Sequence, residues 1–421
     1  MIAGLADWAV ALRPDDGDGE LARRALVDTV AVTLAAAGDP VAEMTAQSPE
    51  VLRWAATGHV LDFDDVHLPS TSHVSVVCAA AALATGGGTR EYLAGAGVMA
   101  RLGTALGWRH YSDGWHTTCT AGAPAAAVAA GLSLGLDADG LKRAMALAVP
   151  AAGGVQRAFG TTGKSLQVGF AAEAGVRAAH LAAAGASAEP SALDQWFALV
   201  GGESDPDLSG PAVPGGLALK LHPCCYAMQR PISAARTLGT DGLRHEDIGR
   251  IVVSTPRAGM QPLIHHRPRT GLEAKFSMEY AVATALLDAF PGLADFTDAA
   301  ARRAEAQHLM ERTHLELVAG GGQDLMAGET RIVLELTGGG RAETALDLPQ
   351  GHPGRPPSEA EVAAKVASCV GEERAEEVMG VTWEAAPRLL RRTFPRPSAG
   401  LRARPPGRAP RGPERPGRRH R

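Results

Sequence analysis

The sequence predicts a mainly α-helical protein that carries an inserted α+β region. Aromatic residues make up only 4% of the chain and alanine is abundant, which favours closely packed helices over an aromatic-rich β-sandwich. Helical periodicity dominates residues 1–212, strand patterns appear in 213–355, and a helical pattern returns in 356–394. Residues 395–421 are rich in arginine and proline without apolar periodicity, so we expect a disordered tail there.

Apolar spacing and stop signals predict most of the amino-terminal helices. Residues 4–37 are typical of two helices that end at Gly38 and Pro40, whereas residues 41–58 give no clear pattern. Further helices are predicted at 74–83, 90–106, 123–135, 138–149 and 165–184. A Gly-rich loop precedes the last of these. Its G-x-x-G-K-S spacing is shorter than that of a phosphate-binding loop, so we do not expect a nucleotide site.

The middle of the chain has a different character. Residues 251–254 are typical of a strand, and residues 331–348, with three glycines at their centre, indicate a β-hairpin. Between these two segments, residues 276–290 are predicted to form a helix. Ser358 is followed three residues later by Glu361, and this capping-box pattern predicts the start of the returning helix.

The charge and the cysteine content argue against several classes of protein. The formal net charge is −5 and the tail contributes +8, so the rest of the chain stands at −13 and gives no reason to expect nucleic-acid binding. The five cysteines are scattered without paired spacing, which indicates a reduced, cytoplasmic compartment. The amino-terminus lacks the basic region of a signal peptide, and no lipid-like run reaches about 18 residues, so we expect no membrane partner.

The most concentrated set of titratable side chains lies between residues 59 and 73. It holds three carboxylates and three imidazoles beside Ala-rich segments, and such groups are costly to bury unless they are paired or used. The six residues are His59, Asp62, Asp64, Asp65, His67 and His73. The alternative interpretation is structural: Asp64 or Asp65 caps the helix predicted near Val74, and the imidazoles are solvated.

Lysine is rare in this chain, with five residues against 36 arginines. Where arginine is the usual cation, a lysine in an apolar or Gly-rich setting indicates a role that needs a compact ammonium group. Lys164 follows a Gly-rich loop, and Lys220 precedes the segment Pro223-Cys224-Cys225. We therefore treat both lysines as candidate anion-binding residues. Either one, without further context, is equally compatible with a solvated surface position.

Five motifs, taken together and in order, carry a resemblance to a known family. They are the cluster of residues 59–73, Gly114-Trp115-His116, Lys164 with Gly169 and Gly175-Val176, Lys220-x-x-Pro223-Cys224-Cys225, and Lys275-Phe276-Ser277-x-x-Tyr280. In this combination, over roughly residues 5–390, the sequence resembles the MmgE/PrpD family. That family includes 2-methylcitrate dehydratase, cis-aconitate decarboxylase and iminodisuccinate epimerase.

The resemblance implies a large all-helical domain built from both chain ends and carrying an α+β lid, usually in a homodimer. It implies an active site between domain and lid that works without a metal or an organic cofactor. The family positions that line this site correspond to Asp62, His73, His116, Lys164, Lys220 and Tyr280. Cys225 is added as a candidate substrate contact, although a small buried filler is the simpler interpretation of that residue.

The implied substrates are small di- or tricarboxylates, and the implied activity is that of a carbon–oxygen lyase of the dehydratase type. Such reactions remove a proton next to a carboxylate and leave an enolate-like carbanion. Lys164 and Lys220 can bind carboxylates. His73 and His116 have intrinsic pKa values suited to acid–base chemistry. Asp62 would orient an imidazole, and Tyr280 would donate to a leaving hydroxyl group. Without the resemblance, His116 is interpreted as a structural hydrogen bonder and Tyr280 as ordinary packing.

Three positions depart from the family pattern. Val66 stands where some of the decarboxylases have threonine, Cys225 stands where they have histidine, and Gln229 stands where many members have histidine. These changes count against an itaconate-forming decarboxylase. They leave the dehydratase open, together with an epimerase of a substituted succinate.

Two further classes remain as alternatives. A metal-dependent helical enzyme could use the Asp-rich segment for Mg²⁺, but Leu68 stands where the closing carboxylate of such a motif would be. A zinc site has no recognised ligand pattern here, and its ligands would be His59, Asp62, His67 and His73. A non-enzymatic scaffold would follow if the irregular carboxy-terminus reflects a decaying gene.

Overall fold

The computed structural model describes residues 2–238, 244–319 and 325–395. Within these ranges the chain is mainly helical and contains one four-stranded sheet, so the prediction of a mainly α protein is confirmed. The predicted disordered tail lies outside the described residues apart from Pro395. None of the helices in these ranges is both long and apolar enough to cross a lipid bilayer.

The helices of the amino-terminal half agree with the predicted segments and add four that were not predicted. They are α1 Gly4–Ala11, α2 Asp16–Ala35, α3 Pro40–Met44, α4 Glu50–Val60, α5 Ser75–Thr85, α6 Thr89–Ser112, α7 Thr117–Thr120, α8 Gly122–Ser133, α9 Ala138–Ala148, α10 Thr162–Ala183 and α11 Ala192–Leu199. The four additional helices are α3 and α4 in residues 40–60, where no clear pattern is present, and the short α7 and α11.

The middle and the end of the chain supply the remaining elements. The helices of the middle are α12 Tyr226–Ala235, α13 Gly271–Ala274, α14 Met278–Leu287, α15 Asp298–Arg302 and α16 Ala304–Arg312. The strands are β1 Ile248–Pro256, β2 Thr313–Val318, β3 Thr330–Leu336 and β4 Arg341–Leu346. The final helices are α17 Glu359–Val370, α18 Glu372–Met379 and α19 Ala386–Thr393.

The sheet has the strand order β2-β1-β3-β4. Strands β3 and β4 pair antiparallel, as the predicted hairpin requires, and β3 also pairs antiparallel with β1. Strand β2 pairs parallel with β1 and was not predicted. Most of its residues are exposed at the edge of the sheet, so it lacks the buried apolar alternation by which a strand is recognised.

Two large hydrophobic cores organise these elements, beside a small cluster around α3 and α4. Apolar residues of α2, α5, α6, α8 and α10 share the larger core with Val366, Leu389 and Leu390 from the carboxy-terminal helices. The second core lies between the sheet and the helices beside it, and it includes Ile251 and Ile332. Both chain ends therefore pack into one helical core, while the middle of the chain has its own. The mobility of the second part as a lid stays a prediction.

Helices α8 and α10 approach very closely at Gly175. A Cβ atom at this position would lie 2.4 Å from the carbonyl oxygen of Ala123 and 2.5 Å from the Cβ of Ala126. Distances this short require displacement of a backbone, so glycine is needed at the crossing. The abundance of alanine and glycine in this chain is thus explained by close helix packing.

The returning helix α17 begins at the predicted capping box, in which Ser358 accepts from the backbone of Glu361. It packs against α2, where Lys365 Nζ lies 2.5 Å from Asp28 Oδ1. The same ammonium group donates a hydrogen bond of 2.8 Å to the carbonyl oxygen of Phe63. The side chains of Lys365 and Asp28 are both buried. Lys365 therefore connects α17 to α2 and to the chain segment that follows α4.

We predict that Lys365→Met destabilises the fold by about 3–5 kcal/mol, because removal of one partner leaves an uncompensated buried carboxylate. The matched control is Glu359→Ala, which breaks an exposed contact between α17 and Arg24 of α2 and should cost about 1 kcal/mol or less. Urea unfolding measures both values. Equal effects of the two substitutions would contradict a structural role for the buried pair.

Candidate active site

The site is built on the loop of residues 61–64, which follows the end of α4 and which we call the Asp62 loop. Asp62 has a φ of 51°, a left-handed conformation that aspartate tolerates better than most residues. Lys220 Nζ donates to the carbonyl oxygen of Asp62 at 2.8 Å and to its Oδ1 at 2.6 Å. Lys275 Nζ donates to the carbonyl oxygen of Leu61 at 2.8 Å. Buried lysines therefore satisfy the backbone oxygens of this turn.

Lys164 reaches the same loop from the first turn of α10. Its Nζ lies 3.3 Å from Asp62 Oδ1 and 2.6 Å from Nε2 of His59. Because an ammonium group can only donate, Nε2 of His59 is the acceptor and the ring proton lies on Nδ1. That Nδ1 donates to Asp64 Oδ2 at 2.8 Å. His59 thus connects Lys164 to Asp64.

The buried lysines and aspartates of the site keep one another ionised. Burial acts to raise the pKa of Asp62, but the positive charges of Lys164 and Lys220 outweigh it and hold this pKa well below its usual range. Burial acts to lower the pKa of Lys220, and Asp62 more than compensates, so the pKa of the ammonium group is raised. Burial likewise opposes ionisation of Asp64, yet His59 and His73 keep its pKa far below the ordinary value. Both aspartates are therefore carboxylates.

His73 lies between the two carboxylates. Its Nδ1 is 3.1 Å from Asp64 Oδ2 and its Nε2 is 3.6 Å from Asp62 Oδ1, and its ring centre is 4.5 Å from that of His59. Burial lowers the pKa of His73 to about 3, so the ring is neutral. Oδ2 of Asp62 and Oδ1 of Asp64 are buried without a hydrogen-bond partner among the described residues. These two oxygens can accept hydrogen bonds from a further group.

His116 completes the cluster from the segment before α7. Its ring is stacked 5.9 Å from the ring of His59 and meets Phe159 edge-on at 5.0 Å. Burial, and then the positive charge of Lys164, lower the pKa of His116 well below its ordinary value. The structure thus brings together five of the seven site residues predicted from the sequence: Asp62, His73, His116, Lys164 and Lys220.

The cavity at this cluster is small. It has a volume of about 10 Å³, and its lining includes His59, Asp62, Lys164, Leu272, Lys275 and Phe276. That volume holds about one water molecule, so an acid of several carbon atoms requires the lining residues to move apart.

The remaining two predicted site residues differ from one another. Cys225 immediately precedes α12 and lies close to the cluster. Burial, followed by the charge of Asp62, raises the pKa of its thiol to about 12, so the thiol stays protonated. Tyr280 is not brought to the cluster. Its hydroxyl group donates to the carbonyl oxygen of Asp295 at 2.5 Å and its ring packs against Phe296 in the second core. These contacts are those of a packing role, and the catalytic contact of Tyr280 stays a prediction.

The structural interpretation holds for other members of the 59–73 segment. Asp65 accepts hydrogen bonds from the backbone nitrogen and the hydroxyl group of Ser75 at the start of α5. His67 is used at both ring nitrogens, which contact Ser70 Oγ at 2.7 Å and the carbonyl oxygen of Pro214 at 2.6 Å. Neither side chain is available to the cluster.

Gln229, one of the departures from the family pattern, has a structural function. Its Oε1 accepts from the backbone nitrogens of Leu221 and His222, both at 3.1 Å, and its Nε2 donates to the carbonyl oxygen of His222 at 2.9 Å. These bonds fix the segment that carries Lys220.

Three side chains in the described part of the chain could hold a metal ion together: the ligand atoms of His59, Asp64 and His73 lie within 4.8 Å of one another. His67 of the proposed zinc set is already hydrogen-bonded elsewhere. The ammonium group of Lys164, 2.6 Å from His59, adds a positive charge that opposes a cation at this position. The electrostatics of the site therefore favour an anion.

Three residues of the site are not among the predicted site residues. His59 and Asp64 belong to the segment 59–73, and Lys275 belongs to one of the family motifs. Lys275 donates to carbonyl oxygens on two sides, from Leu61 and from Pro223 at 2.7 Å. The rarity of lysine was the available signal for it. His59 and Asp64 could not be separated from their neighbours His67 and Asp65, because spacing alone does not show which side chains face one another.

We predict that the free energy of unfolding falls as the pH drops from about 7 to about 5. Burial lowers the pKa of six histidines in the folded chain, so the unfolded chain, whose histidines titrate near pH 6.5, takes up these protons at a higher pH than the folded chain does. The six are His59, His67, His73, His110, His116 and His222. Two aspartates oppose this loss of stability, because the folded chain protonates them at a higher pH than the unfolded chain does: burial raises the pKa of Asp65 to about 7 and also raises the pKa of Asp28.

Urea unfolding between pH 7 and pH 5 measures this dependence. His222→Asn should reduce its slope by up to one proton, because burial holds the pKa of His222 at about 4 and the side chain lies outside the cluster, on the carbonyl oxygen of Pro291. A stability that does not change over this range would contradict the assignment of neutral histidines.

The chain is similar to known proteins over much of its length. Residues 51–200 match the MmgE/PrpD N-terminal domain and residues 222–385 match the MmgE/PrpD C-terminal domain. A cis-aconitate decarboxylase of Aspergillus terreus (strain NIH 2624 / FGSC A1156) is 28% identical over 284 residues, and a second one of Aspergillus terreus is 27% identical over 284 residues. Each match covers 60% of this chain and 57% of the relative, so it spans little more than half the relatives' length. The chain belongs to the MmgE/PrpD family.

Proposed function

We propose that this protein is a lyase that acts on a small di- or tricarboxylate by removing a proton next to a carboxylate, without a metal or organic cofactor. The observation that carries the proposal is the neutral His73 held between Asp62 and Asp64, in a cluster where buried lysines outnumber the carboxylates. The family and both relatives support a lyase-type enzyme.

Anion binding follows from the charge of the cluster. With Lys164, Lys220 and Lys275 charged and Asp62 and Asp64 ionised, the site has an excess of one positive charge. Lys164 and Lys220 each use two of their three N–H groups within the protein, so each has one left for a carboxylate oxygen. In a buried site such contacts are worth more than in water. A substrate with two or more carboxylates fits this arrangement.

Proton abstraction is assigned to His73. An imidazole must be neutral to accept a proton, and burial keeps His73 neutral. Bound carboxylates bring negative charge next to the ring and therefore raise its proton affinity, as an opposite charge always does. The imidazolium formed after abstraction is stabilised by Asp64 and Asp62, which are 3.1 Å and 3.6 Å from its two nitrogens.

The bond changes define the dehydratase reaction. His73 takes the proton from the carbon next to a carboxylate, and the electron pair of that C–H bond becomes the enolate. The pair then forms the C=C bond while the C–O bond to the neighbouring hydroxyl group breaks, and a proton from the imidazolium converts hydroxide into water. Because the hydroxyl group of Tyr280 donates a hydrogen bond to the carbonyl oxygen of Asp295, Tyr280 is not assigned as the acid.

Decarboxylation is the second candidate, and the names of the two relatives favour it. In that reaction the C–C bond to a carboxylate breaks, CO₂ leaves with no electrons from that bond, and the resulting carbanion receives a proton. Val66 and Cys225 depart from the decarboxylase pattern, which is why dehydration is placed first. Epimerisation of a substituted succinate shares the carbanion and is the third candidate.

Two structural expectations belong to the proposal. The cavity of about 10 Å³ implies that the segment of Leu272 and Phe276 moves away from α10 to admit substrate, which would make the α+β part a lid. A homodimer is expected from the family and is tested by light scattering.

The test of the function is NMR in D₂O across cis-aconitate, citrate, 2-methylcitrate and substituted succinates, with and without a chelator. Loss of water identifies a dehydratase, release of CO₂ a decarboxylase, and solvent exchange with inversion an epimerase. Turnover that stops with chelator would contradict the cofactor-independent mechanism. A folded protein that neither turns over nor exchanges any of these acids would contradict the proposed substrate class.

We predict that His73→Asn lowers kcat by about 10²–10⁴-fold, the usual contribution of an acid–base group. The melting temperature should fall by less than in the control below, because His73 Nδ1 approaches Asp64 Oδ2 at 3.1 Å, whereas both ring nitrogens of His67 make shorter hydrogen bonds. The matched control is His67→Asn, six residues earlier in the same segment, which should lower stability and leave kcat within a factor of about two. If both variants lost stability and rate together, His73 would be structural.

A further inference from the structure

We infer that Gln167 is a positioning residue that fixes the ring proton of His116 on Nε2, so that His116 donates a hydrogen bond to the substrate and does not act as a base. The catalytic meaning of this inference rests on the proposed function. The position of the proton is a property of the folded chain and can be measured without any substrate.

The orientation of the Gln167 amide is settled by its contacts with Val155. Oε1 of Gln167 accepts from the backbone nitrogen of Val155 at 3.1 Å, and Nε2 of Gln167 lies 3.3 Å from the carbonyl oxygen of the same residue. An exchange of the two amide atoms would place donor against donor and acceptor against acceptor. The NH₂ group therefore occupies the position assigned to it.

The same NH₂ group contacts His116. Nε2 of Gln167 lies 2.7 Å from Nδ1 of His116. An amide NH₂ can only donate, so Nδ1 is the acceptor and carries no proton. The thiol of Cys119, 3.3 Å from the same nitrogen, is a second donor, because burial raises the pKa of Cys119 and keeps it protonated.

The proton of the neutral ring must then lie on Nε2. No group among the described residues makes a hydrogen bond to this nitrogen, whereas Nδ1 has two donors. Burial and the charge of Lys164 keep the ring neutral. A neutral imidazole with a fixed N–H group can polarise a carbonyl or carboxylate oxygen and stabilise an enolate.

The two histidines of the site thus have different environments and different roles. His73 lies between two carboxylates, which stabilise the positive charge that it acquires as a base. His116 has two neutral donors on one nitrogen, and these would oppose a second proton on the ring. Gln167 lies one turn after Lys164 on α10, so one helix face places both an ammonium group and this amide at the site.

The first test is ¹⁵N NMR of histidine-labelled protein, in which the protonated and unprotonated ring nitrogens give separate signals, with His116→Asn used for assignment. The wild-type protein should show His116 protonated at Nε2. Gln167→Glu should move the proton to Nδ1, because a carboxylate accepts where the amide donated. A wild-type ring protonated at Nδ1, or a tautomer unchanged in Gln167→Glu, would overturn the inference.

Gln156→Leu is the matched control. Nε2 of Gln156 donates to the carbonyl oxygens of Tyr111 and Trp115, so this glutamine holds the chain next to His116 without contact to the ring. Its substitution should lower stability and leave the tautomer of His116 as it is. A change of tautomer in this control would show that general loosening, and not Gln167, determines the proton position.

The second test uses whichever acid the protein turns over. Gln167→Glu should lower kcat by about 10–100-fold with a smaller change in KM, since the donor acts on the developing negative charge. Gln156→Leu should retain kcat within a factor of about two. A kcat unchanged in Gln167→Glu despite an inverted tautomer would overturn the donor role. If no acid were turned over, the proposed function would fail while the NMR result would still decide the proton position.

Discussion

The burial of the Asp62 loop is the constraint on which the rest of the structure depends. The loop buries two carboxylates, those of Asp62 and Asp64, together with several backbone oxygens, and such groups are costly to bury unless each has a partner. Four of the five lysines in the chain supply these partners: Lys164, Lys220, Lys275 and Lys365. They come from α10, from the segment before α12, from the segment before α14 and from α17. Every major part of the chain is thereby connected to one turn.

This arrangement links stability to chemistry. Asp62 keeps its charge because the lysines lie beside it, and Lys220 keeps its charge because Asp62 lies beside it. For His73 and His116 the neighbouring charges do not offset burial, so the pKa of each ring is lowered and both rings are neutral. The outcome is a buried site with excess positive charge and uncharged imidazoles. Such a site suits an anionic substrate whose proton must be removed, and the same burial makes the fold sensitive to acid.

Much of the fold could be predicted, because local patterns report local structure. Helical periodicity located the segments that became α1, α2, α5, α6 and α8–α10, and the capping box at Ser358 located the start of α17. The hairpin of β3 and β4 followed from its central glycines. Strand β2 could not be found, because an exposed edge strand has no buried alternation. Five of the seven predicted site residues lie together, while Tyr280 donates its hydrogen bond to the carbonyl oxygen of Asp295.

The sequence by itself determined which residue types were unusual: an Asp/His-rich segment among alanines, and a few lysines among many arginines. It also carried the ordered motifs of the family. Only the tertiary structure decided which of these side chains meet, so that Asp64 faces His59 while Asp65 binds Ser75. It alone placed the amide of Gln167 on Nδ1 of His116. The reason is physical: spacing along a chain fixes the local direction of a side chain, but partners and protons depend on approach between distant elements.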